Sequence, residues 1–376
     1  MFEKILLSVI AVITAASLVF GVNNTLAQKK IIEDVNEISK RYSNEDVASE
    51  DDVTIAGEFE IKSTRQISDA YIGGDTSALS ERDKETLDMA KAVIKEYITD
   101  GMTDCEKEEA IYKYLTSEMK FDSGLLTVIP QTSADSDNPF GVLKNHNAVC
   151  VGYATTFRLL MQMLSFDCMV VHNTDLTHTW NLIKLDGEWY HTDCYMDSEV
   201  SNYCNFNMND DLCSQNHDWN RDFFPAANGL KYNYAVMNCE EIEDLYSIPE
   251  FVNGKINEDD IPDSFSCSFR NKIDKDSEIV ARYICDTIAA TLNNGEGEYY
   301  EFRWIAGEDG EYILWVCRND YSGEYDYSEI PDDILEKANA AIEEQFPDYL
   351  TPSEEYDYGE TDMYYYTDGD ITYAAG

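Results

Sequence analysis

Apolar residues recur at helical spacing in two neighbouring segments of the first half of the chain. The first segment runs from Ser80 to Ile98, and the second runs from Thr103 to about Met119. Ser80 can cap the first helix, while Thr103 and Glu106 have the spacing of a capping box for the second. The pattern therefore predicts a helical hairpin.

A third helical pattern begins at Cys150, and Asn147 is available to cap it. In the first turn of a helix, unpaired backbone N–H groups and the positive end of the helix dipole favour a thiolate. Cys150 is therefore a candidate nucleophile, although a buried core cysteine would fit the same pattern. The apolar positions behind it are Tyr153, Ala154, Phe157, Leu160, Met161 and Leu164.

Two strand-like segments rich in apolar and aromatic residues follow, and Asp186-Gly187 joins them. This dipeptide is a strong signal for a two-residue hairpin turn. Such a turn pairs Leu185 with Glu188. Counting outward from there pairs Trp180 with Asp193.

This register places His178 and Asp193 on the same face of the sheet. Their backbones would be diagonal neighbours about 7 Å apart, a separation that the two side chains can bridge. Asp193 would then accept a hydrogen bond from one imidazole nitrogen of His178 and orient the other nitrogen toward the Cys150 thiol. A slip of one residue would put the two side chains on opposite faces. Cys150, His178 and Asp193 are the predicted catalytic residues.

The remaining histidines carry weaker signals. We assign His191 a structural role, and His217 is more simply a hydrogen-bonding residue than a ligand. His146 and His172 could approach the site from loops. A zinc site built from cysteine and histidine is an alternative, but the chain has no CxxC pair and no HxxxH spacing. Neither a metal nor a cofactor is expected.

The second half of the chain contains a separate pattern of helices and strands. Helices are predicted at 277–292 and 332–345, and strands at 299–305 and 312–317. The composition shifts to Gly, Asn, Asp and Pro around 252–262, which is typical of a boundary. We identify no catalytic constellation in this unit.

These patterns divide the chain into five parts. An alternating segment at 53–61 could form one strand within an otherwise polar linker, and the tyrosine-rich tail is too poor in aliphatic residues to pack alone. The parts are an N-terminal signal peptide or anchor (1–27), an acidic linker (28–75), a catalytic domain (76–252), a small α+β domain of unknown role (253–350) and an acidic tail expected to be disordered (351–376).

Composition and charge exclude one class of partner. The chain has 376 residues, of which 44% are hydrophobic, enough for a sizeable globular core. Its 74 acidic and 27 basic residues give a net charge of −47. A field of that sign repels phosphate backbones and anionic lipids, so nucleic acid is not an expected partner. The acidity could favour amine-bearing substrates, but a solvated acidic surface is the simpler interpretation.

The first residues and the cysteines indicate the compartment. Lys4 precedes an apolar run at 5–22, and small residues follow at 25–27, as in a secretory signal peptide. The run could also span a bilayer as an uncleaved anchor. An exported chain could oxidise some of its ten cysteines, and Cys204 with Cys213 is the best candidate pair. We expect an extracellular or cell-surface location, with membrane contact only through such an anchor.

Three separated motifs occur in order within residues 75–235. They read MTDCEKEEAIYKYLTSEMKFD from Met102, VCVGYATTF around Cys150 and HTWNLIKLDGEWYHTD from His178 to Asp193, and HDW with ANGLKYNY, ending at Tyr234, follows them. Together they resemble the transglutaminase-like superfamily of papain-type thiol enzymes, in its bacterial extracellular form.

The resemblance implies an α+β fold in which the nucleophile helix packs on an antiparallel sheet, with Cys150, His178 and Asp193 as a catalytic triad. Some positions depart from the usual pattern of the family, which puts substrate choice in doubt more than chemistry. They are Thr179 in place of a common alanine, Tyr195-Met196 in place of Thr-Trp, and Phe140 in place of a frequent tyrosine.

The resulting hypothesis is an exported thiol enzyme that forms a thioester from a glutamine-type carboxamide or a peptide bond of a protein or peptide substrate. Water would resolve the thioester in a protease or amidase, and an amine acceptor would resolve it in a crosslinking enzyme. The backbone N–H of Cys150 is the candidate oxyanion donor, and the second donor is not assigned. The alternative is a catalytically silent binding or assembly module at the cell surface.

Overall fold

The computed structural model describes residues 53–57, 59–122, 135–198, 202–257, 262, 264–271, 275–292, 300–306, 312–318 and 327–349. The predicted signal peptide or anchor and the acidic tail lie outside these residues. None of the helices in the described ranges is long and apolar enough to cross a membrane.

Strands and helices alternate irregularly along the chain. Their order is β1 (Ile55–Ala56), β2 (Phe59–Glu60), α1 (Arg65–Gly73), α2 (Glu81–Tyr97), α3 (Asp104–Glu118), β3 (Lys120–Phe121), α4 (Pro139–Asn145), β4 (Asn147–Ala148), α5 (Cys150–Met163), β5 (Cys168–His172), β6 (Thr179–Leu185), β7 (Glu188–Thr192), α6 (Asp210–Cys213), α7 (Tyr234–Met237), β8 (Cys239–Ile242), α8 (Ile248–Ile256), β9 (Ser264–Phe269), α9 (Lys275–Leu292), β10 (Tyr300–Ala306), β11 (Tyr312–Arg318) and α10 (Asp332–Gln345).

The chain divides into two units. One comprises residues 1–48 and Arg221–Pro225, and in its described part the rings of Phe223 and Phe224 meet edge to face with centroids 4.9 Å apart. The other comprises Ser49–Asn220 and Ala226–Gly376 and contains every described helix and strand. The following paragraphs concern this second unit.

The predicted helical hairpin is present as α2 and α3. Ser80 and Thr103 are their N-caps, and each forms a reciprocal capping box with the residue three positions later. Two otherwise unpaired backbone N–H groups are satisfied at each start, which fixes where each helix begins. The prediction from the capping residues is confirmed.

Helix α5 belongs to the predicted catalytic domain, and 13 of its 14 residues are buried. It begins at Cys150 as predicted, but its N-cap is Val149, which makes no side-chain cap hydrogen bond. The prediction that Asn147 caps this helix is wrong because Asn147 lies in β4, which pairs in parallel with β3. A Cβ added to Gly152, in the first turn of α5, would lie 2.0 Å from the Ser136 carbonyl oxygen. The Ser136 backbone therefore leaves room only for glycine at this position.

The sheet beside α5 has the order β5-β6-β7, and both pairs are antiparallel. Leu185 is opposite Glu188 in the β6–β7 pair, so the predicted register is confirmed. Both residues of the turn have positive φ, 49° at Asp186 and 90° at Gly187, as a two-residue turn between twisted antiparallel strands requires.

The segment predicted to be a linker differs from expectation in its second half. Its alternating stretch forms two short paired strands, β1 and β2, rather than one strand. Helix α1 then packs against α5. The fully buried Arg158 of α5 donates to Thr64 Oγ1 at 3.1 Å and to the Lys62 carbonyl at 2.6 Å, and Thr64 Oγ1 donates to Gln162 Oε1 at 2.6 Å. Hydrogen bonds between buried polar side chains do not appear in the pattern of apolar residues, so the sequence did not predict this packing.

The C-terminal part forms a second sheet of order β10-β11-β9-β8, in which β8 runs parallel to β9 and the other pairs are antiparallel. Helices α8, α9 and α10 contribute to one buried apolar cluster with this sheet. The predicted helices and strands of this region are present. The predicted boundary between residues 252 and 253 falls within α8.

The predicted pairing of Cys204 with Cys213 is wrong. Cys204 is disulfide-bonded, whereas Cys213 is a thiol. Cys213 ends the short helix α6 and is fully buried. It therefore serves as a small core residue.

Candidate active site

Cys150 is the first residue of α5, and its side chain is half-buried. The first N–H groups of a helix have no acceptor within the helix, and no side chain caps this one. The positive end of the helix dipole therefore acts directly on the Cys150 thiol. The backbone N–H of Cys150, the predicted oxyanion donor, belongs to this same turn.

His178 lies immediately before β6, and both its backbone N–H and its backbone carbonyl form hydrogen bonds with Asn173. Its N–H donates to Asn173 Oδ1 at 2.8 Å, and its carbonyl accepts from the Asn173 N–H at 3.1 Å. The Cys150 thiol acts on this imidazole and raises its pKa. The imidazole also lies beside the rings of Trp180 and Tyr195, with centroid separations of 5.7 and 5.4 Å.

Asp193 follows β7 and is almost fully buried. Its Oδ2 is 2.5 Å from His178 Nε2, as the register argument predicted. Its Oδ1 accepts from the backbone N–H groups of Tyr195 at 2.9 Å and Met196 at 3.1 Å. The structure therefore brings Cys150, His178 and Asp193 together in that order, and the carboxylate is fixed by donors at both oxygens.

The pKa shifts of these three groups agree with their contacts. Burial alone would raise the pKa of Cys150, but the hydrogen bond and charge of His178 and the backbone N–H of Thr179 lower it. Burial would lower the pKa of His178, but Asp193 and Cys150 raise it to about 10. Burial would raise the pKa of Asp193, but His178 and His217 hold it well below its ordinary value. The site therefore favours a thiolate–imidazolium pair next to an ionised carboxylate.

His217 is a member of the site that the sequence did not reveal. Its Nε2 lies 3.0 Å from Oδ2 of Asp193, the same oxygen that His178 contacts. The sequence motif HDW was the only signal, and nothing in the hydrophobic pattern around it indicated which residue it would meet. The predicted description of His217 as a hydrogen-bonding residue agrees with this contact.

Two further buried carboxyl groups support the end of β7. Glu108 of α3 accepts from Thr192 Oγ1 at 3.2 Å and from Asn207 Nδ2 at 2.8 Å, and burial raises its pKa to about 8. Asp197 accepts from the Tyr112 hydroxyl and from Asn205 Nδ2. These groups connect α3 to the end of β7 and to the segment that follows it, where Asp193 lies.

The other histidines occupy separate positions. His191 is fully buried, where Nδ1 accepts from the Trp180 indole at 2.9 Å and Nε2 lies 3.0 Å from Asp210 Oδ1. His172 ends β5, and its Nδ1 is 2.9 Å from the Asn173 carbonyl. His146 is the C-cap of α4, in a left-handed conformation with a φ of 54°.

Ligand atoms of His178, Asp193 and His217 lie within 4.8 Å of one another, a spacing at which such groups could hold a metal ion. In this structure both imidazoles are hydrogen-bonded to one carboxylate oxygen. Those hydrogen bonds account for the spacing, so we assign no metal ligand here.

Residues 91–194 match the family model of the transglutaminase-like superfamily. The chain contains a transglutaminase-like domain. The match extends from within α2 to one residue beyond Asp193, so it includes Cys150, His178 and Asp193 and ends before His217.

Comparison with other proteins adds little to this assignment. A solved structure titled "Crystal structure of a TGase" is similar to 33% of this chain at 16% identity, with a TM-score of 0.25. The matched part spans about a third (35%) of that solved chain. No curated protein matches the chain.

Proposed function

We propose that this protein is an exported thiol enzyme that uses its transglutaminase-like domain to transfer an acyl group from a carboxamide or peptide bond. The observation that supports the proposal is the contact of His178 Nε2 with Asp193 Oδ2 at 2.5 Å, together with the mutual effect of Cys150 and His178 on each other's pKa. Each member has its pKa shifted in the direction that this chemistry requires. Export is inferred from the N-terminal sequence pattern alone.

In this mechanism the Cys150 thiolate attacks the carbonyl carbon of the substrate. The backbone N–H of Cys150 stabilises the oxyanion that develops. The imidazolium of His178 gives its proton to the departing ammonia or amine, and a thioester forms at Cys150. Asp193 keeps the His178 ring in position and stabilises its positive charge.

The second half of the reaction regenerates the thiolate–imidazolium pair. Neutral His178 removes a proton from the acceptor, which then attacks the thioester. Water as acceptor gives hydrolysis, and a primary amine gives a crosslink. The three residues perform the same steps in both cases, so the acceptor depends on what the cleft admits.

Incubation with a library of glutamine-containing peptides and a tagged primary amine tests this proposal. Mass spectrometry distinguishes peptides that gain the tag from peptides that are deamidated or cleaved. We expect at least one of these products to form at a rate that depends on Cys150. If none forms above the rate of a Cys150→Ala variant, the alternative of a catalytically silent binding module is favoured.

A further inference from the structure

Helix α5 packs against strand β6, and the two elements run in the same direction. Near the start of both, Asn181 Nδ2 donates to the Ala154 carbonyl at 3.0 Å. About two turns further along α5, Gln162 Nε2 donates to the Cys168 carbonyl at 3.4 Å. Cys168 is opposite Ile183, which lies further along β6. The first turn of α5 is therefore next to the first residues of β6.

This alignment places Thr179, the first residue of β6, opposite Cys150, the first residue of α5. Side chains two positions apart in a strand leave the same face, so Thr179 and Asn181 both face the helix. Residues four positions apart in a helix share one side, as Cys150 and Ala154 do. Each of these steps covers about 6 to 7 Å along its element. Because Asn181 meets Ala154, one step back along both elements brings Thr179 to Cys150.

The Thr179 hydroxyl is buried and has no hydrogen-bond partner among the described residues. The residue as a whole is 1% exposed. A buried hydroxyl without a partner is costly, and folded proteins normally avoid one. A hydroxyl can, however, turn its hydrogen toward an acceptor that is present in only one state of a site. The Cys150 thiolate would be such an acceptor.

The electrostatics of Cys150 agree with this placement. Burial raises the pKa of the thiol, whereas His178 and then the side chain and backbone N–H of Thr179 lower it. His178 is the charged group that acts on the thiol, and Asp193 acts through His178. Titratable groups on other elements packed against α5 have partners of their own, which are Asn207 for Glu108 of α3, Glu85 for Lys144 of α4 and the Asn173 carbonyl for His172 of β5.

We propose that the Thr179 hydroxyl donates a hydrogen bond to the Cys150 thiolate and thereby stabilises the ionised nucleophile. A hydrogen bond to an anion is stronger than one to a neutral group, so the contact favours the thiolate over the thiol. His178 supplies a positive charge to this sulfur, and Thr179 supplies a neutral donor from the next position in the chain. Two consecutive residues thus act on one sulfur atom.

The consequence for catalysis rests on the proposed function. When the acceptor attacks the thioester, the bond between the carbonyl carbon and Sγ of Cys150 breaks, and its electron pair returns to the sulfur. The proton of the acceptor goes to His178. A thiol of lower pKa leaves faster, so the Thr179 hydroxyl assists this second half of the reaction by stabilising the departing thiolate.

The rate at which Cys150 reacts with the disulfide reagent dithiodipyridine tests the proposal without any substrate, and digestion identifies the modified residue. Thr179→Val keeps the shape of the side chain and removes the hydroxyl. We expect the midpoint of the pH–rate profile to rise by about one pH unit, because a hydrogen bond to a charged group changes a pKa by about that amount. The plateau rate at higher pH should rise about threefold, since a thiolate of higher pKa is intrinsically more nucleophilic.

Two further variants separate the hydroxyl from the rest of the side chain and from its surroundings. Thr179→Ser retains the hydroxyl, so it should keep the midpoint and plateau of the unaltered protein. Thr156→Val is the matched control, because the Thr156 hydroxyl is also buried without a hydrogen-bond partner among the described residues. Thr156 lies six positions along α5 from Cys150 and faces another side of the helix. Its replacement should leave both values unchanged.

An unchanged midpoint in Thr179→Val would overturn the proposal. An equal shift in Thr156→Val or in Thr179→Ser would also overturn it, because the hydroxyl of Thr179 would then not be the cause. Thr179→Ala removes the same hydroxyl and takes the place of Thr179→Val if that variant fails to fold. Failure of the proposed function would appear separately, as missing products from the unaltered protein, and would leave these profiles unaffected.

Discussion

Replacing Cys150 with alanine should abolish turnover of any carboxamide or peptide substrate of this protein. The thioester cannot form without the Sγ atom of Cys150, which is the thiol that acts on the pKa of His178. Removing the nucleophile of a triad lowers kcat by roughly 10⁴-fold to 10⁶-fold. The comparison of kcat between the variant and the unaltered protein checks this expectation.

Cys105→Ala is the matched control for this substitution. Cys105 is a buried thiol in α3, and burial raises its pKa to about 12. Its loss should leave kcat unchanged. Both variants should unfold at nearly the same denaturant concentration as the unaltered protein, which separates a chemical effect from a folding effect. Turnover that survives in Cys150→Ala would refute the assigned nucleophile.

Replacing Asp193 with asparagine should lower the rate by roughly 10²-fold to 10⁴-fold, because the amide cannot stabilise an imidazolium. The charge and hydrogen bond of Asp193 raise the pKa of His178. Their removal lowers that pKa, so His178 no longer carries the charge that lowers the pKa of Cys150. The thiolate will therefore be less abundant at neutral pH. The rate of Cys150 alkylation by iodoacetamide, measured against pH, should rise at a higher pH than in the unaltered protein.

Asp210→Asn provides the control for this experiment, since Asp210 contacts the buried His191 in a similar carboxylate–imidazole pair. It should affect stability without moving the alkylation profile of Cys150. An alkylation profile that is the same in Asp193→Asn and in the unaltered protein would show that Asp193 does not act on the thiol through His178.

The β6–β7 hairpin was predictable because its turn encodes its register. A two-residue turn at Asp186-Gly187 leaves one way to count the pairs, and that count determines which side chains share a face. The contact of His178 with Asp193 follows from it. The starts of α2 and α3 were predictable for a similar reason, since their capping residues act on backbone groups only three positions away.

Contacts between distant polar residues were not predictable in this way. His217 follows Asp193 by 24 positions through a segment with little regular structure, so no period relates the two. Arg158 and Thr64 are 94 positions apart, and their contact holds α1 against α5 within a segment whose polar composition indicated a linker. In both cases the pairing depends on how the chain folds back, which local patterns of apolar residues do not specify.

The three candidate catalytic residues were easier to predict than the buried polar residues around them. Cys150, His178 and Asp193 each lie at the end of a regular element whose position the hydrophobic pattern indicates. Glu108, Asp197 and His217 are buried polar groups that hydrogen-bond to other buried polar residues, which are Asn207, Asn205 and Asp193 respectively. Aspartate and glutamate are usually exposed, so nothing in the sequence indicated that Glu108 and Asp197 would be buried.

The most direct test of the central claim is to find the acyl group on Cys150. The protein is mixed with a reactive glutamine peptide, quenched in acid within the first turnover and weighed intact. We expect a mass increase equal to that of the peptide minus ammonia, which digestion assigns to Cys150 and which hydroxylamine removes. Product that accumulates with no such adduct, or an adduct of equal yield in Cys150→Ala, would contradict a thioester mechanism at this residue.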